Sequence, residues 1–585
     1  MDAELHMIRP PFSAEARSAH LAELAAAGGS APPLDVLVIG GGITGAGVAR
    51  DAAHRGLRVG LVERRDFAAG TSSRSSKLIH GGVRYLQLGD FALVRESALE
   101  RRILGRLAPH IVRPMRMVVP ARSRRSYLAL NVGLWTYDRI GSIDAGERHV
   151  MWDREATIAH VPLLRREGLY GAVAYYESVT DDARLVIDTA KDAHAAGARL
   201  ANHAEVTTLH LEGGRISGAR IRDVLSGAEI DVAARVVVNA AGPWVDAIRR
   251  LEGPLGDKRL HLTKGIHFTV PRSLLPLEQI VAFQARDRRT VFAVPHDAVV
   301  YIGTTDTDYR EPCDHPEIST EDVDYLFEAL VQTFDTPAAF GPSAILSGWA
   351  GLRPLLHQEG KAPSEISRKD EIMVGRAGLM SIAGGKLTTY RRMAARVVDL
   401  VIDALTRASA APAGLHPSRT EILPLAGGGC STAELEARAA ATHSPGSLPA
   451  TTRARLFRTY GTEAQTILDM IAANDDLGSP VAAGDDLLRG EIRYALDHEM
   501  ALGVEDVLER RTRSLLFAPD QGLASVESVA DLCAERFGWS PERRRADVEG
   551  YRSLARSLRP EGWARTPATA GSAGPAPVAA SGRAR

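Results

Sequence analysis

The chain has 585 residues, with 71 Lys and Arg against 72 Asp and Glu, a formal net charge of -1 and 45% hydrophobic residues. At ~100–200 residues per domain that is about three folding units, and the balance excludes a disordered chain, a collagen-like repeat and a strongly basic nucleic-acid binder. Cys313, Cys430 and Cys533 are too scattered for a disulfide framework, a zinc site or an Fe–S cluster, so no metal centre is expected.

Residues 1–33 are Ala-rich and end in Gly28-Gly29 and Pro32-Pro33; they read as an N-terminal extension. Their scattered acids (Asp2, Glu4, Glu15, Glu23) and the lack of an apolar signal core predict a cytoplasmic protein. No apolar run approaches the ~20 residues that span a bilayer.

Leu34 to Ile39 (LDVLVI) is a continuous apolar run, suited to a strand buried on both faces. A glycine cluster follows, then a helical stretch from Ile43 to His54 and a second buried strand from Leu57 to Glu63. Such a βαβ unit starts a parallel sheet. Gly40, Gly42 and Gly45 fit G-x-G-x-x-G at its turn. In that context the first glycine permits the turn, the second admits a pyrophosphate and the third lets helix pack on strand. Glu63, ending the second strand, can accept hydrogen bonds from a ribose diol. The motif alone does not choose between NAD and FAD. Its single use at the start of the first domain, and the late strand RVVVNAAG (Arg235 to Gly242), favour FAD.

Thr71, Ser72, Ser75, Ser76 and Lys77 form a hydroxyl-rich loop suited to pyrophosphate or ribityl oxygens. From Asp90, a capping residue, the periodicity of DFALVRESALERRILGRL predicts a helix. Further strands are expected at Arg235 to Asn239, Thr290 to Val294 and Val299 to Gly303. Residues 430–557 change to Ala, Leu, Arg and Glu patterns that read as helical, and 561–585 read as a disordered tail. The expected division is an oxidoreductase region at 34–425 and a helical domain at 426–560.

Several separated motifs carry a family likeness. IGGGITGAGVARDAAHRG (Ile39 to Gly56) closely resembles the first signature of FAD-dependent glycerol-3-phosphate dehydrogenases, and GGKLTTYRRMA (Gly384 to Ala394) resembles the second. SSKLIHGGVRYL (Ser75 to Leu86), NAAGPWV (Asn239 to Val245), IGTTD (Ile302 to Asp306), GLRPL (Gly351 to Leu355) and DVLERRTR (Asp506 to Arg513) also resemble that family. The resemblance implies an α/β plus α architecture: a Rossmann-like FAD domain of the D-amino-acid-oxidase type, a β-sheet substrate domain and a C-terminal helical domain. It implies oxidation of sn-glycerol 3-phosphate to dihydroxyacetone phosphate in glycerol catabolism, with FAD reduced and electrons passed to a quinone at the membrane surface. It also extends the cofactor-binding set to Ala241, Gly242, Gly384, Gly385, Lys386, Leu387 and Thr388.

The chemistry asks for the same residue types. A phosphate monoester of about -1.5 to -2 charge needs fixed cations, and Arg offers a bidentate fork. The matched positions supply Arg84, Arg353 and Lys386. Hydride removal from C2 also requires a base for the hydroxyl proton. His80, between Ile79 and Gly81-Gly82, is the first candidate and His267 the second. Tyr85 is a further candidate substrate contact, and Thr305 and Asp306 could contact substrate or hold the pocket. Peripheral membrane attachment would fall to one of two basic-apolar stretches, Arg113 to Tyr137 or Glu542 to Arg559. An oxidase passing electrons to oxygen, an amino-acid oxidase and a non-catalytic flavin-binding protein are the alternatives. A homo-oligomer is compatible with the sequence, and no nucleic-acid partner is expected.

Overall fold

In a computed structural model, the structure describes residues 11–81, 90–255, 260–337, 340–356, 370–442 and 448–559. Two sheets and a helical C-terminal part organise it. The first sheet is built on β1 (Leu34–Ile39), whose six residues are all buried. It runs parallel to β2 (Val59–Val62) on one side and β10 (Glu229–Asn239) on the other. β7 (Arg199–Ala201) extends the sheet beyond β2, and β18 (Met380–Ala383) extends it beyond β10, both parallel. β17 (Glu371–Val374) closes that edge antiparallel, while β8 (Ala204–Glu212) and β9 (Arg215–Asp223) form a ribbon from β10.

The helix α1 (Ala14–Ala26) packs on β7 and β10. Arg17 donates from Nε to Asn202 O at 2.8 Å and pairs with Asp223 at 2.5 Å. Phe12 is buried in the first-sheet core. The segment that reads as an appended extension is therefore, from residue 11 onward, part of this layer. α2 (Ile43–His54) covers the same sheet beside α5 (Asp182–Ala195) and α6 (Tyr390–Arg407). The continuous burial of β1 and of Val236 to Asn239 in β10 follows from helices on one face and α1 with the ribbon on the other.

The second sheet follows the order β15 (Thr307–Asp308), β11 (Leu260–Pro271), β14 (Val299–Gly303), β13 (Thr290–His296), β12 (Ile280–Gln284), β4 (Arg113–Ala121), β6 (Gly171–Val179), β3 (Leu78–Ile79). β16 (Ser347–Leu356) pairs with β11, and β5 (Val150–Asp153) with β6. Between strands of this sheet lie α3 (Phe91–Leu107), which joins β3 to β4 and is capped by Asp90 Oδ1 at 3.0 Å from Leu93 N, and α4 (Arg124–Ile140), which follows β4. Arg113 to Ala121 is a sheet strand, so the stretch Arg113 to Tyr137 is not one amphipathic segment; only α4 is free to face outward.

From Thr432 to Ser557 the described elements are helical; the first of them share a core of their own around Leu456 and Ile467, and the later ones merge with the second sheet, where Met117, Tyr301 and Trp349 share a core with Val507, Leu515 and Val529. Within it, Asp506–Arg511 forms a π-helical turn whose side chains are all buried. The helix Pro541–Ser557 buries Val548, Tyr551 and Leu554, and its outer arginines pair with acids, among them Arg545–Glu542, Arg552–Glu527 and Arg556–Glu549. That charge-balanced face does not fit the membrane-contact reading of Glu542 to Arg559.

Candidate functional site

The turn after β1 is shaped by close approach. Gly40 has φ +110°, and a Cβ there would stand 2.7 Å from Ala240 O. A Cβ on Gly45 would stand 1.8 Å from Gly40 O, so only glycine lets α2 start so near the strand. Gly42 offers α2 no capping side chain; Ser72 Oγ instead accepts the Ile43 N–H at 3.0 Å. Glu63 accepts from Gly41 N at 2.6 Å and Arg65 N at 2.8 Å, and burial pushes its carboxyl up.

These groups border a cavity of about 580 Å³. Gly40, Gly42, Glu63, Thr71, Ser72 and Ser75 line it from the early segments, and Ala241, Gly242, Gly384, Gly385, Lys386 and Leu387 from the late ones. The cavity joins a helix N-terminus that favours anions, an acid able to take a ribose diol, and an apolar wall including Ile39, Val62, Trp244 and Ile382. That donor set fits a dinucleotide such as FAD. Arg64, Arg65 and Arg222 also line it, and Arg64 lies 5.3 Å over the Trp244 ring. Sequence reading missed these three arginines, since only folding brings β9 and the β2 loop to one rim.

His80 follows β3. Its N–H donates to Thr388 Oγ1 at 3.3 Å, and that hydroxyl also reaches His80 O at 3.4 Å, so Thr388 clasps the His80 backbone. The next amide, Gly81, donates to Glu177 Oε2 at 2.9 Å. Burial raises the Glu177 carboxyl to about 7, opposed by Arg101 at 3.6 Å. Glu177 and its neighbour in the same segment, Asp182, carried no motif signal. Lys386 caps the short helix Leu387–Thr389, lines the cavity and reaches Ser97 Oγ at 3.5 Å. Arg84 and Tyr85 lie outside the described residues.

Arg353 is held, not loose. Its Nη1 donates to Thr305 O at 3.1 Å and Asp306 Oδ1 at 3.0 Å, and its Nη2 to Thr304 Oγ1 at 2.9 Å. Thr305 and Asp306 thus brace the Arg353 guanidinium. Thr305 is buried, its Oγ1 accepts the Ile266 N–H at 3.1 Å, and both residues border an outer groove rather than the glycine-rich cavity. Of the two roles expected for them, the structure gives the contacts of the second: they hold the Arg353 side chain.

Two other expected positions shift. Lys77 is not on the cavity wall: its Nζ donates to Ser73 O at 2.9 Å and pairs with Asp182 at 3.0 Å. Burial lowers its ammonium to about 8. His267 is 2% exposed, stacked on Trp349 at 4.9 Å, with Nε2 2.9 Å from Ser76 Oγ. Burial, then Lys77 and Arg353, hold its imidazole well below the usual range, so it is neutral.

Comparison with known proteins agrees with this geometry. Residues 35–391 match the family described as FAD dependent oxidoreductase, and 418–544 match the C-terminal domain of alpha-glycerophosphate oxidase. The aerobic glycerol-3-phosphate dehydrogenase of Bacillus subtilis (strain 168) is 40% identical over 526 residues, covering 89% of this chain and 94% of that protein. Its counterpart in Staphylococcus haemolyticus is 39% identical over 520 residues, covering 87% and 92%. The crystal structure of the glycerol-3-phosphate dehydrogenase from Bacillus halodurans, complexed with FAD, superposes with a TM-score of 0.77 at 33% identity, covering 94% of this chain and 99% of that one. These matches, over nearly the whole chain, place it in the FAD-dependent glycerol-3-phosphate dehydrogenase family.

Proposed function

We propose that the protein oxidises sn-glycerol 3-phosphate to dihydroxyacetone phosphate and delivers the electrons to a membrane quinone. One observation carries the reading: Pro354 and Lys386 line the same cavity as Gly40 and Glu63, which sets the strand bearing Arg353 beside the glycine-rich turn. When bound, FAD supplies the hydride acceptor. The chain's own residues do the rest. Gly42, Ser72 and the start of α2 would receive the pyrophosphate, and Glu63 the ribose. Arg353, braced by Asp306, and Lys386 bind phosphate or hydroxyl oxygens. His80 takes the C2 hydroxyl proton, its backbone held by Thr388 and its neighbour by Glu177. With α1 packed on its sheet, the oxidoreductase unit of this scheme runs from residue 11 to 425, and the helical domain follows from 426.

The quinone reading is supported by α4. Leu128 (50% exposed), Val132 (65%) and Trp135 (53%) line one face of it. Arg124, Arg125 and Arg139 are exposed along the same helix, whose one acid, Asp138, is buried. An apolar stripe with arginines and no exposed acid suits an anionic bilayer surface. No described helix is long and apolar enough to cross a membrane. A second reading, oxygen as acceptor, draws on the match of 418–544 to an oxidase C-terminal domain.

The test begins with the visible spectrum of the purified protein under anaerobic glycerol 3-phosphate. Bleaching by glycerol 3-phosphate but not glycerol supports the substrate; an unchanged flavin spectrum removes it. Turnover with a soluble quinone exceeding peroxide release in air supports the quinone, and the reverse supports the oxidase.

A further inference from the structure

The loop from Thr71 to Lys77 presents different residues to three parts of the molecule. Thr71, Ser72 and Ser75 line the flavin cavity. Ser76 faces the second sheet, with its Oγ at His267 and its carbonyl accepting Tyr301 Oη at 3.1 Å. Ser73, Arg74 and Lys77 face the C-terminal domain. Arg513 Nη2 donates to Ser73 O and to Asp182 Oδ1, each at 2.9 Å, and Arg74 pairs with Glu509 at 3.2 Å.

Lys77 Nζ uses the same two acceptors as Arg513. The cluster is balanced: two cations, Lys77 and Arg513, meet Asp182 directly, and Asp181 lies 3.6 Å from Arg513 Nε. Asp182 is fully buried, and it also accepts Ser75 N at 3.0 Å and Ser75 Oγ at 2.7 Å. Ser75 is thereby fixed from behind by a carboxylate that the C-terminal arginine holds in place. Lys77 and Arg513 both adopt left-handed backbone, φ +52° and +64°, which non-glycine residues seldom take without surrounding constraint.

We propose that Arg513 is a positioning residue for cofactor binding: through Ser73 O and Asp182 it holds the cavity-lining loop, so that the C-terminal domain completes the flavin site without touching the flavin. The proposal rests on the assignment of the 580 Å³ cavity to FAD. Removing the guanidinium leaves Asp182 with one cation and releases one of the two clamps on the Ser73 carbonyl. A buried carboxylate short of its partner pulls Ser75 and Lys77 into new positions.

The experiment compares FAD affinity of full-length Arg513→Met, Arg513→Lys and Arg455→Met proteins by flavin fluorescence on dilution, with circular dichroism and thermal unfolding alongside. Arg455 pairs with Glu491 inside the helical domain, away from the loop, and controls for loss of domain stability. The expected result is FAD affinity lowered at least tenfold in Arg513→Met with the helical signal retained, and an altered visible flavin band shape. Arg513→Lys, whose ammonium can reach both acceptors as Lys77 does, recovers part of that loss. Arg455→Met lowers the unfolding temperature with FAD affinity within twofold of wild type. If Arg513→Met loses stability but keeps wild-type affinity and spectrum, or if Arg455→Met loses affinity equally, the positioning role is overturned. A wild-type protein that binds no FAD would instead remove the cavity assignment.

Discussion

Glu177 holds the amide of Gly81, one residue beyond His80, at 2.9 Å in a buried setting. Burial lifts its carboxyl from 4.5 to about 7. A group that binds its proton more tightly folded than unfolded stabilises the fold below its unfolded pKa, and that contribution disappears as pH rises through the folded pKa. The Glu177 contribution is therefore full below about pH 4.5 and gone above about pH 7. It amounts to on the order of 3 kcal/mol at ~1.4 kcal/mol per unit. Glu177→Gln keeps an acceptor for Gly81 and should flatten that decline in a pH series of thermal unfolding. An unchanged slope would rule out Glu177 as its source.

Arg353 makes three hydrogen bonds to the Thr304–Asp306 turn, so its fork is pre-set for an oxygen ligand. Arg353→Lys keeps charge and loses the fork. With ~1.5–3 kcal/mol for a hydrogen bond to a charged group, kcat/KM for glycerol 3-phosphate should fall about 10- to 150-fold. FAD content should stay at wild-type level. Unchanged kinetics would place the phosphate elsewhere.

His80→Asn tests the base. General-base loss costs about 10²- to 10⁴-fold, and it should appear in kcat with little change in KM. His267 is buried against Trp349 and Ser76, so His267→Asn should act more weakly, through the loop. A larger kcat loss in His267→Asn would exchange the two assignments.

Gly45→Ala introduces a Cβ 1.8 Å from the Gly40 carbonyl oxygen. Backbone must move to admit it, at about 1–3 kcal/mol by the usual cost of overpacking. Chemical denaturation of the apoprotein should show that loss, separately from any effect on FAD.

Arg510 and Arg511 both donate to Asp66, Arg510 Nε at 2.7 Å and Arg511 Nη1 at 2.6 Å, in a setting closed to solvent. Stripping one partner from a buried ion pair costs about 3–5 kcal/mol. Arg510→Met should therefore lower the unfolding midpoint sharply, whereas Arg545→Met, on an exposed pair with Glu542, should shift stability by less than about 1 kcal/mol.

Local patterns were legible where one rule acted alone. The run LDVLVI became β1 with the expected bounds, and Ile43 to His54 became α2, because a two-sided burial and a glycine-to-helix transition are read from neighbours in sequence. The second strand was shorter than expected, Val59–Val62. Arg113 to Tyr137 broke into a strand and a helix, since its apolar residues serve a sheet first and a surface afterwards.

Lys77 and Thr305 show where one-dimensional reading stops. Both sit in motifs suited to ligand contact, yet Lys77 points to Asp182, 105 residues on, and Thr305 to the Ile266 amide. The DVLERRTR segment carried only a family likeness within a helical stretch, and folding buries its arginines against Asp66 and Asp182. Sequence alone determined that the first domain takes a dinucleotide, because the glycine turn, its two strands and Glu63 are contiguous and each has a steric or hydrogen-bonding reason. Only the tertiary structure decided which cations face the cavity and which brace it, because the partner that takes up a buried charge is chosen by packing across domains rather than by spacing along the chain.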